Sequence, residues 1–386
     1  ASAHNPMNMV PVIIMLPPAG LSEAEGWVAE GRRAAACDLI HRLAGVQSVG
    51  EIFVLAAESV DRETLVGTGA VPLPTPSGPF HFGQTLAGIV DEKGFQQAAY
   101  FGGASAPLLT ESMLQDVFHR LEENARPTVV VNNYHSTDWM VLNQAGVLLQ
   151  LQHRLTKDNS LGWVLDHDAG FDVQVVLPNA ASQVDIDTPG DLLMLHRHPS
   201  VGNALKKFLE SASASQLDEV DQILEIMSTP ASSLTLIGRT SPQLWKMLNE
   251  QTQIWIRTFA EERGMVASGR FDRGEVRSLI GEIVEDWGPQ RFIEYIANLS
   301  NGVLWDTRVW MAHRGKWPST ADRFAADLGW VDRINDEPLK KLAHSVHQCD
   351  VPILMGGHGV VAGGIYALLE SLETAGYQPS RNESQS

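Results

Sequence analysis

The sequence predicts an α/β protein whose first half holds a mostly parallel, doubly wound sheet. Three observations point there. Apolar runs of strand length alternate with helix-patterned stretches from Val10 to about Pro199. The runs are apolar at successive positions, as strands covered on both faces require. Turns rich in glycine, proline or asparagine separate them, with room for helical crossovers.

VPVIIMLP (10–17) is the first β-branched run, and Pro17-Pro18-Ala19-Gly20 ends it. A helix pattern follows from Ser22, a candidate N-cap, to about Ala44. EIFVLAAE (51–58) is the second strand. Thr68 to Gly83 holds too many prolines and glycines for a regular element and reads as a functional loop. A short helix closes at Gly94, QQAAYFGG is a strand running into glycines, and Thr110 caps the next helix. PTVVVNNYHS is a strand with a polar end. A helix, a stop at Gly170 and a strand lead to DTPGDLLMLHRHP, which opens a further helix.

Beyond Ser200 the pattern changes. Residues 202–230 are amphipathic and helical, LTLIGR (234–239) is strand-like, and QLWKMLNEQTQIWIRTFAEERG and VRSLIGEIVEDWG read as helices. VLWDTRVWMAHRG and VPILMGGHG read as short strands or buried segments. Seven of the ten tryptophans lie here, enough large side chains for a separate core. The expected division is residues 1–200 as an α/β domain and 201–380 as a helix-rich, arginine-containing domain. Residues 1–9 and 379–386 are expected to be loose tails.

The chain has 386 residues, 44% of them hydrophobic, and a net charge of -18. Neither half has the basic surface that a phosphate backbone attracts, so neither nucleic acid nor an anionic membrane is an expected partner. No apolar run is long enough for a membrane span and no leader pattern opens the chain, so the expected location is cytoplasmic. Cys37 and Cys349 lack a CxxC arrangement. They read as reduced thiols, although His41, His344 and His347 stand close by in sequence.

Four segments carry chemistry. In Asp185-Ile186-Asp187-Thr188-Pro189-Gly190-Asp191, the first two carboxylates sit at i and i+2 and point to one side of an extended chain. They offer hard oxygen ligands suited to Mg²⁺ or Mn²⁺. The other reading makes Asp187 a helix cap, with Pro189 in the first turn and Asp191 a dipole partner. Asn132-Asn133-Tyr134-His135-Ser136-Thr137-Asp138-Trp139 follows a strand, where open α/β sheets bind ligands. Asn132, Asn133, His135 and Asp138 are its candidates. The alternative is a loop with Ser136 or Thr137 capping a helix from Asp138. Asp166-His167-Asp168 reads as solvated surface.

Between Gln251 and Trp330 stand nine arginines and 11 acidic residues. Structural ion pairs are one reading and an anion site the other. Arg273 and Arg277 are the named candidates. At least two of Arg263, Arg270, Arg273, Arg277, Arg308 and Arg323 are expected to face an open cleft without a full set of carboxylates. Met355 to Gly364 runs strand, Gly-rich turn, helix. That is a phosphate-cradle layout with His358 at its centre, or else close backbone packing.

Three segments, PPAGL, YFGGASAPLLTESML and QVDIDTPGDLLML, together resemble the GT-A-type nucleotidyltransferases that activate sugars, molybdopterin and phospholactate. The resemblance covers about residues 10–200. It implies acidic ligands at the last strand exit that hold a divalent cation on nucleotide phosphates. Gly20, Gly102, Gly103 and Ser105 would then let a base or phosphate approach the backbone. Two departures from the family pattern stand out. The first loop carries Glu23 and Glu25 in place of an arginine, and Gly103-Ala104-Ser105 stands where the family has an aspartate.

Two functions follow as expectations. One is Mg²⁺- or Mn²⁺-dependent nucleotidyl or glycosyl transfer from a nucleoside di- or triphosphate to a small anionic acceptor. In it Asp185 and Asp187 hold the metal, and His135 and Asp138 serve the chemistry. The other is a catalytically degenerate nucleotide- or metabolite-binding protein of the same fold.

Overall fold

The computed structural model describes residues 9–122, 125–212 and 214–376. Apart from Met9, the two expected tails lie outside the described residues. The chain divides into two compact units, and they interleave instead of meeting at one cut near residue 200. The first is Ala1–Ala19, Ala29–Asp185 and Gly202–Leu205; the second is Gly20–Val28, Ile186–Val201 and Lys206–Ser386.

The first unit is built on seven strands: β1 (Val10–Leu16), β2 (Val49–Ala56), β3 (Val71–Pro72), β4 (Gln97–Gly102), β5 (Thr128–Val131), β6 (Trp139–Asn143) and β7 (Asp172–Val175). Their order is β3-β2-β1-β4-β6-β5-β7. Every neighbouring pair is parallel except those made by β6, which runs antiparallel to β4 and β5. The apolar runs predicted as strands are the central ones, and β1, β4 and β5 are almost wholly buried. On one face Ile13, Phe53, Tyr100, Val131 and Met140 pack against Leu86, Leu148 and Leu165. The edge strand β3 stops at Pro72, which has no amide to extend a ladder.

β6 corrects the reading of a helix from Asp138. Two asparagines hold the β5–β6 hairpin at both ends. Asn132 Oδ1 accepts from the amides of Asp138 and Trp139. Asn143 Oδ1 accepts from the Thr128 amide while its Nδ2 donates to the Arg126 carbonyl. Backbone groups captured this way favour a return strand over a helical turn.

The second unit has a sheet of its own: β8 (Ser233–Gly238), β9 (Trp255–Ala260), β10 (Gly302–Asp306) and β11 (Ile353–Gly356). Their order is β11-β10-β8-β9 and all pairs are parallel. The expected helix-rich half is therefore an α/β layer with helices around a four-stranded sheet. The miss is β9. Its residues follow the helix Pro242–Gln251 without a proline or glycine, so the helical pattern runs on in sequence; in the structure Thr252 is extended and ends it. Leu234, Leu236, Leu304 and Leu354 form the sheet's core, with Val220, Ile223 and Leu368 from flanking helices.

Candidate functional site

β1, β4 and β5 are parallel in effect, so their carboxyl ends share one edge of the first sheet, and β6 starts there. Four of the predicted residues meet at this edge. The Gly102 amide donates to the Asp138 carbonyl at 3.1 Å. Ser105 folds back on Gly102, its Oγ donating to the Gly102 carbonyl at 2.6 Å. Ser105 also pairs with Asp185 in an isolated antiparallel bridge. A Cβ at Gly102 would lie 3.4 Å from the Asp138 carbonyl oxygen and 3.5 Å from the Tyr100 hydroxyl.

Tyr100 is the member that sequence reasoning missed. It sits in an apolar strand run, and only its position two residues before Gly102 places it on the same face. Its buried hydroxyl donates to Asp158 Oδ2 at 2.9 Å. Burial first, then Asp158, Asp185 and Asp138, hold the phenol well above its ordinary pKa. One carboxylate, Asp158, therefore holds the neutral hydroxyl at this edge, within the field of Asp185 and Asp138.

The other predicted residues of this unit have structural work. Asn132 is buried and spends both ends of its amide, with Nδ2 donating to Asp138 Oδ2 at 2.8 Å and to the Ser182 carbonyl. Asn133 Oδ1 accepts from the amides of His135 and Ser136, a local turn. His135 is exposed at the rim, edge-on to Tyr134. Gly103 packs against β1: a Cβ there would stand 2.4 Å from Leu16 Cδ2. The loop after β3 lines a cavity of about 340 Å³ with Leu55, Thr75, Ser77, His81 and Gln84.

The amides of the loop after β1 are taken by carboxylates. Ala19 N donates to Glu58 Oε1 at 3.2 Å. Within the second unit, Ser22 N and Oγ both donate to Glu25 Oε2, and Glu25 N donates back to Ser22 Oγ. This is a capping box on the helix Glu23–Ala44. Gly20, at φ +82°, leaves room for that returning carboxylate. Glu23 pairs with Arg333.

The boundary between units falls between Asp185 and Ile186, so the two predicted metal ligands belong to different units. In the second unit, Asp187 is exposed and Thr188 caps the helix Pro189–Leu193 with Asp191 in a second capping box. Asp191 Oδ2 accepts from Asp187 N, Thr188 N and Thr188 Oγ1. Burial and the Asp187 charge lift its pKa to about 7.

That helix and the Gly-rich turn after β11 interlock. A Cβ on Gly190 would stand 2.7 Å from Val360 Cγ1, one on Gly357 2.9 Å from Thr188 Cγ2, and one on Gly359 1.9 Å from Asp191 Oδ1. The glycines thus serve close packing, the second of the two readings. His358 itself remains exposed.

Half of the six named arginines pair with carboxylates. Arg270 binds Glu262, Arg273 binds Glu275, and Arg277 donates to the carbonyls of Gly274 and Val276. Arg308 is buried and bidentate on Asp327. Arg263 is exposed, and Arg323 donates to the Pro318 carbonyl and Thr320 Oγ1.

No known family model matches the chain, and no curated protein matches it. Solved structures do. A cytidylyltransferase of Leptospira borgpetersenii serovar Hardjo-bovis is 14% identical, with 53% of this chain and 93% of that one covered and a TM-score of 0.39. A candidate nucleotide-diphospho-sugar transferase of Desulfovibrio desulfuricans G20 is 12% identical, with 54% and 97% covered and a TM-score of 0.41. The 4-diphosphocytidyl-2C-methyl-D-erythritol synthase of Anaerococcus prevotii is 12% identical, with 48% and 94% covered and a TM-score of 0.34. Each likeness covers about half of this chain. Among the described residues no helix is long and apolar enough to cross a membrane.

Proposed function

We propose that the first unit carries out nucleotidyl or glycosyl transfer from a nucleoside di- or triphosphate to a small anionic acceptor, assisted by Mg²⁺ or Mn²⁺. One observation carries the reading: Asp138, Asp158 and Asp185 all act on the buried Tyr100 hydroxyl at the carboxyl edge of the sheet. With Ser105 beside them, the donor set is entirely oxygen, which fits a hard divalent cation. Asp185 and Asp138 are the residues that would hold it. Bound there, the cation would neutralise phosphate charge. The protein's own part is positioning: Asn132 fixes Asp138, and the Ser105 bridge fixes Asp185. In nucleotidyl transfer an acceptor oxygen attacks the α-phosphorus, the bond to the β-phosphate oxygen breaks, and pyrophosphate leaves. Exposed His135 is available to take the acceptor's proton.

A second reading has its own observation. Glu58 and Glu25 accept from amides of the loop after β1, and their charge opposes a triphosphate there. On this reading the chain binds a nucleotide or metabolite without turning it over.

Thermal-shift and calorimetric titration with nucleoside triphosphates and nucleotide sugars, with and without Mg²⁺, tests both, together with an assay for pyrophosphate release. Mg²⁺-dependent binding with release supports transfer. Binding without release supports the second reading. Absence of binding to the whole set removes both.

A further inference from the structure

The second sheet has a topological switch point that the nucleotidyltransferase reading does not use. From β8 the chain crosses to β9 on one side, and from β10 it proceeds to β11 on the other. In parallel sheets of this kind, the crevice beyond the two diverging strand ends is where ligands bind.

Charged side chains are concentrated there. β8 ends at Gly238, whose φ of +119° and lack of a Cβ let its backbone lie against Asp306 at the end of β10. Arg239 follows, and its Nε and Nη2 donate to the two oxygens of Asp306. Asp306 is fully buried and Arg239 nearly so. Two residues beyond Asp306, Arg308 places Nη1 and Nη2 on Asp327, with Nη1 also on Thr307 Oγ1. β11 leads into His358, whose ring donates to the Arg239 carbonyl.

Each arginine spends one edge on its carboxylate and keeps another. Among the described residues, Arg239 Nη1 and Arg308 Nε have no hydrogen-bond partner. The Nε of Arg308 faces Gly357, 3.8 Å from where a Cβ on that glycine would stand. Arg323 is coupled to the same pair, one helical turn before Asp327. It stacks on Trp317 at 4.8 Å and donates to a carbonyl and a hydroxyl, with no carboxylate in ion-pair range among the described residues. Burial and then the Arg308 charge lower its pKa to about 10.

The charge count decides between a structural and a binding role. Three guanidiniums share two buried carboxylates, Asp306 and Asp327. Asp187 is exposed, and Asp191 and Glu25 spend their oxygens on the amides and hydroxyls of their own capping boxes. A surplus positive charge partly withdrawn from water is stabilised by an anion that completes it. We infer that the carboxyl end of the second sheet is an oxyanion site, where Arg239, Arg308, Arg323 and His358 receive a phosphoryl group. Four donors on four separate chain segments suit the several oxygens of a phosphoryl group better than the two of a carboxylate.

Titration of the full chain with inorganic phosphate, with acetate and chloride at matched ionic strength, tests the site. Phosphate is expected to raise Tm beyond both other anions. Arg323→Met removes a guanidinium without orphaning a carboxylate, and His358→Ala removes an exposed ring; both should fold and bind phosphate at least tenfold more weakly. Phosphate protection no larger than that of chloride overturns the proposal, as does parental affinity in both variants. Asp138→Asn, in the other unit, should leave the phosphate affinity unchanged. Loss of phosphate binding in that variant would move the site to the first sheet and likewise overturn the proposal.

Discussion

The carboxylate of Glu25 occupies the space beside Gly20: a Cβ on the glycine would stand 2.4 Å from Glu25 Oε1. The pair, with the positive φ, explains why a glycine stands at this position. Gly20→Ala combines the positive φ with this crowding and should cost about 1–2 kcal/mol in urea denaturation. Glu25→Gln keeps an acceptor for Ser22 and removes the charge. It should tighten any triphosphate binding while lowering stability by less than about 1 kcal/mol.

Asp191 makes stability depend on pH near neutrality. Its folded pKa of about 7 lies above the ordinary carboxylate value, so the native state holds a proton that the unfolded chain has released. Its contribution is complete below about pH 4 and is lost as pH rises through 7. Glu219, lifted to about 7 by burial, acts in the same sense. Chemical denaturation from pH 5 to 8 should show a fall on the order of 1–3 kcal/mol. Asp191→Asn should flatten that slope, and an unchanged slope would assign it wholly to Glu219.

The Arg308–Asp327 pair is fully buried and bidentate. Either Arg308→Met or Asp327→Leu alone strands a charge and should cost about 3–5 kcal/mol. The double variant should recover much of that loss, because neither charge then remains to be desolvated. A double-mutant cycle on unfolding free energies measures the coupling.

Asp138 and Asp185 should be needed for the cation-dependent part of nucleotide binding. Asp138→Asn and Asp185→Asn are each expected to weaken it at least tenfold, with far-UV dichroism unchanged. The Asp185→Ala, Asp187→Ala double variant separates the ligand and capping readings: binding that survives it leaves both residues as structural.

Most of the first sheet was legible because its strands are buried on both faces, which leaves unbroken apolar runs such as VPVIIML and TVVV. β6 was not, because its start is set by the Asn132 side chain taking two amides, a contact that no period records. β9 was hidden for a related reason: its burial is partial, so its pattern merges with the helix before it. In the site, Asp138 and Asp185 could be picked by residue type after strand ends. Tyr100 could not, since a tyrosine in an apolar run looks like core. Arg239 and Asp306 escaped notice for want of a register: the parallel pairing of Trp305 with Ile237 brings their neighbours together across β8 and β10.

The interleaving of the two units bears on how the chain is made. The backbone passes between them five times, at residues 19–20, 28–29, 185–186, 201–202 and 205–206. The last piece of the first unit matters to it: the amides of Ala204 and Leu205 both donate to the buried carboxylate of Asp38, and Gly202 packs against it. During synthesis from the amino end, that carboxylate waits for residue 205 to leave the ribosome. A fragment stopped at residue 199 would carry the entire seven-stranded sheet and still lack its clasp, so the first unit becomes a finished folding body only once the chain has already entered the second.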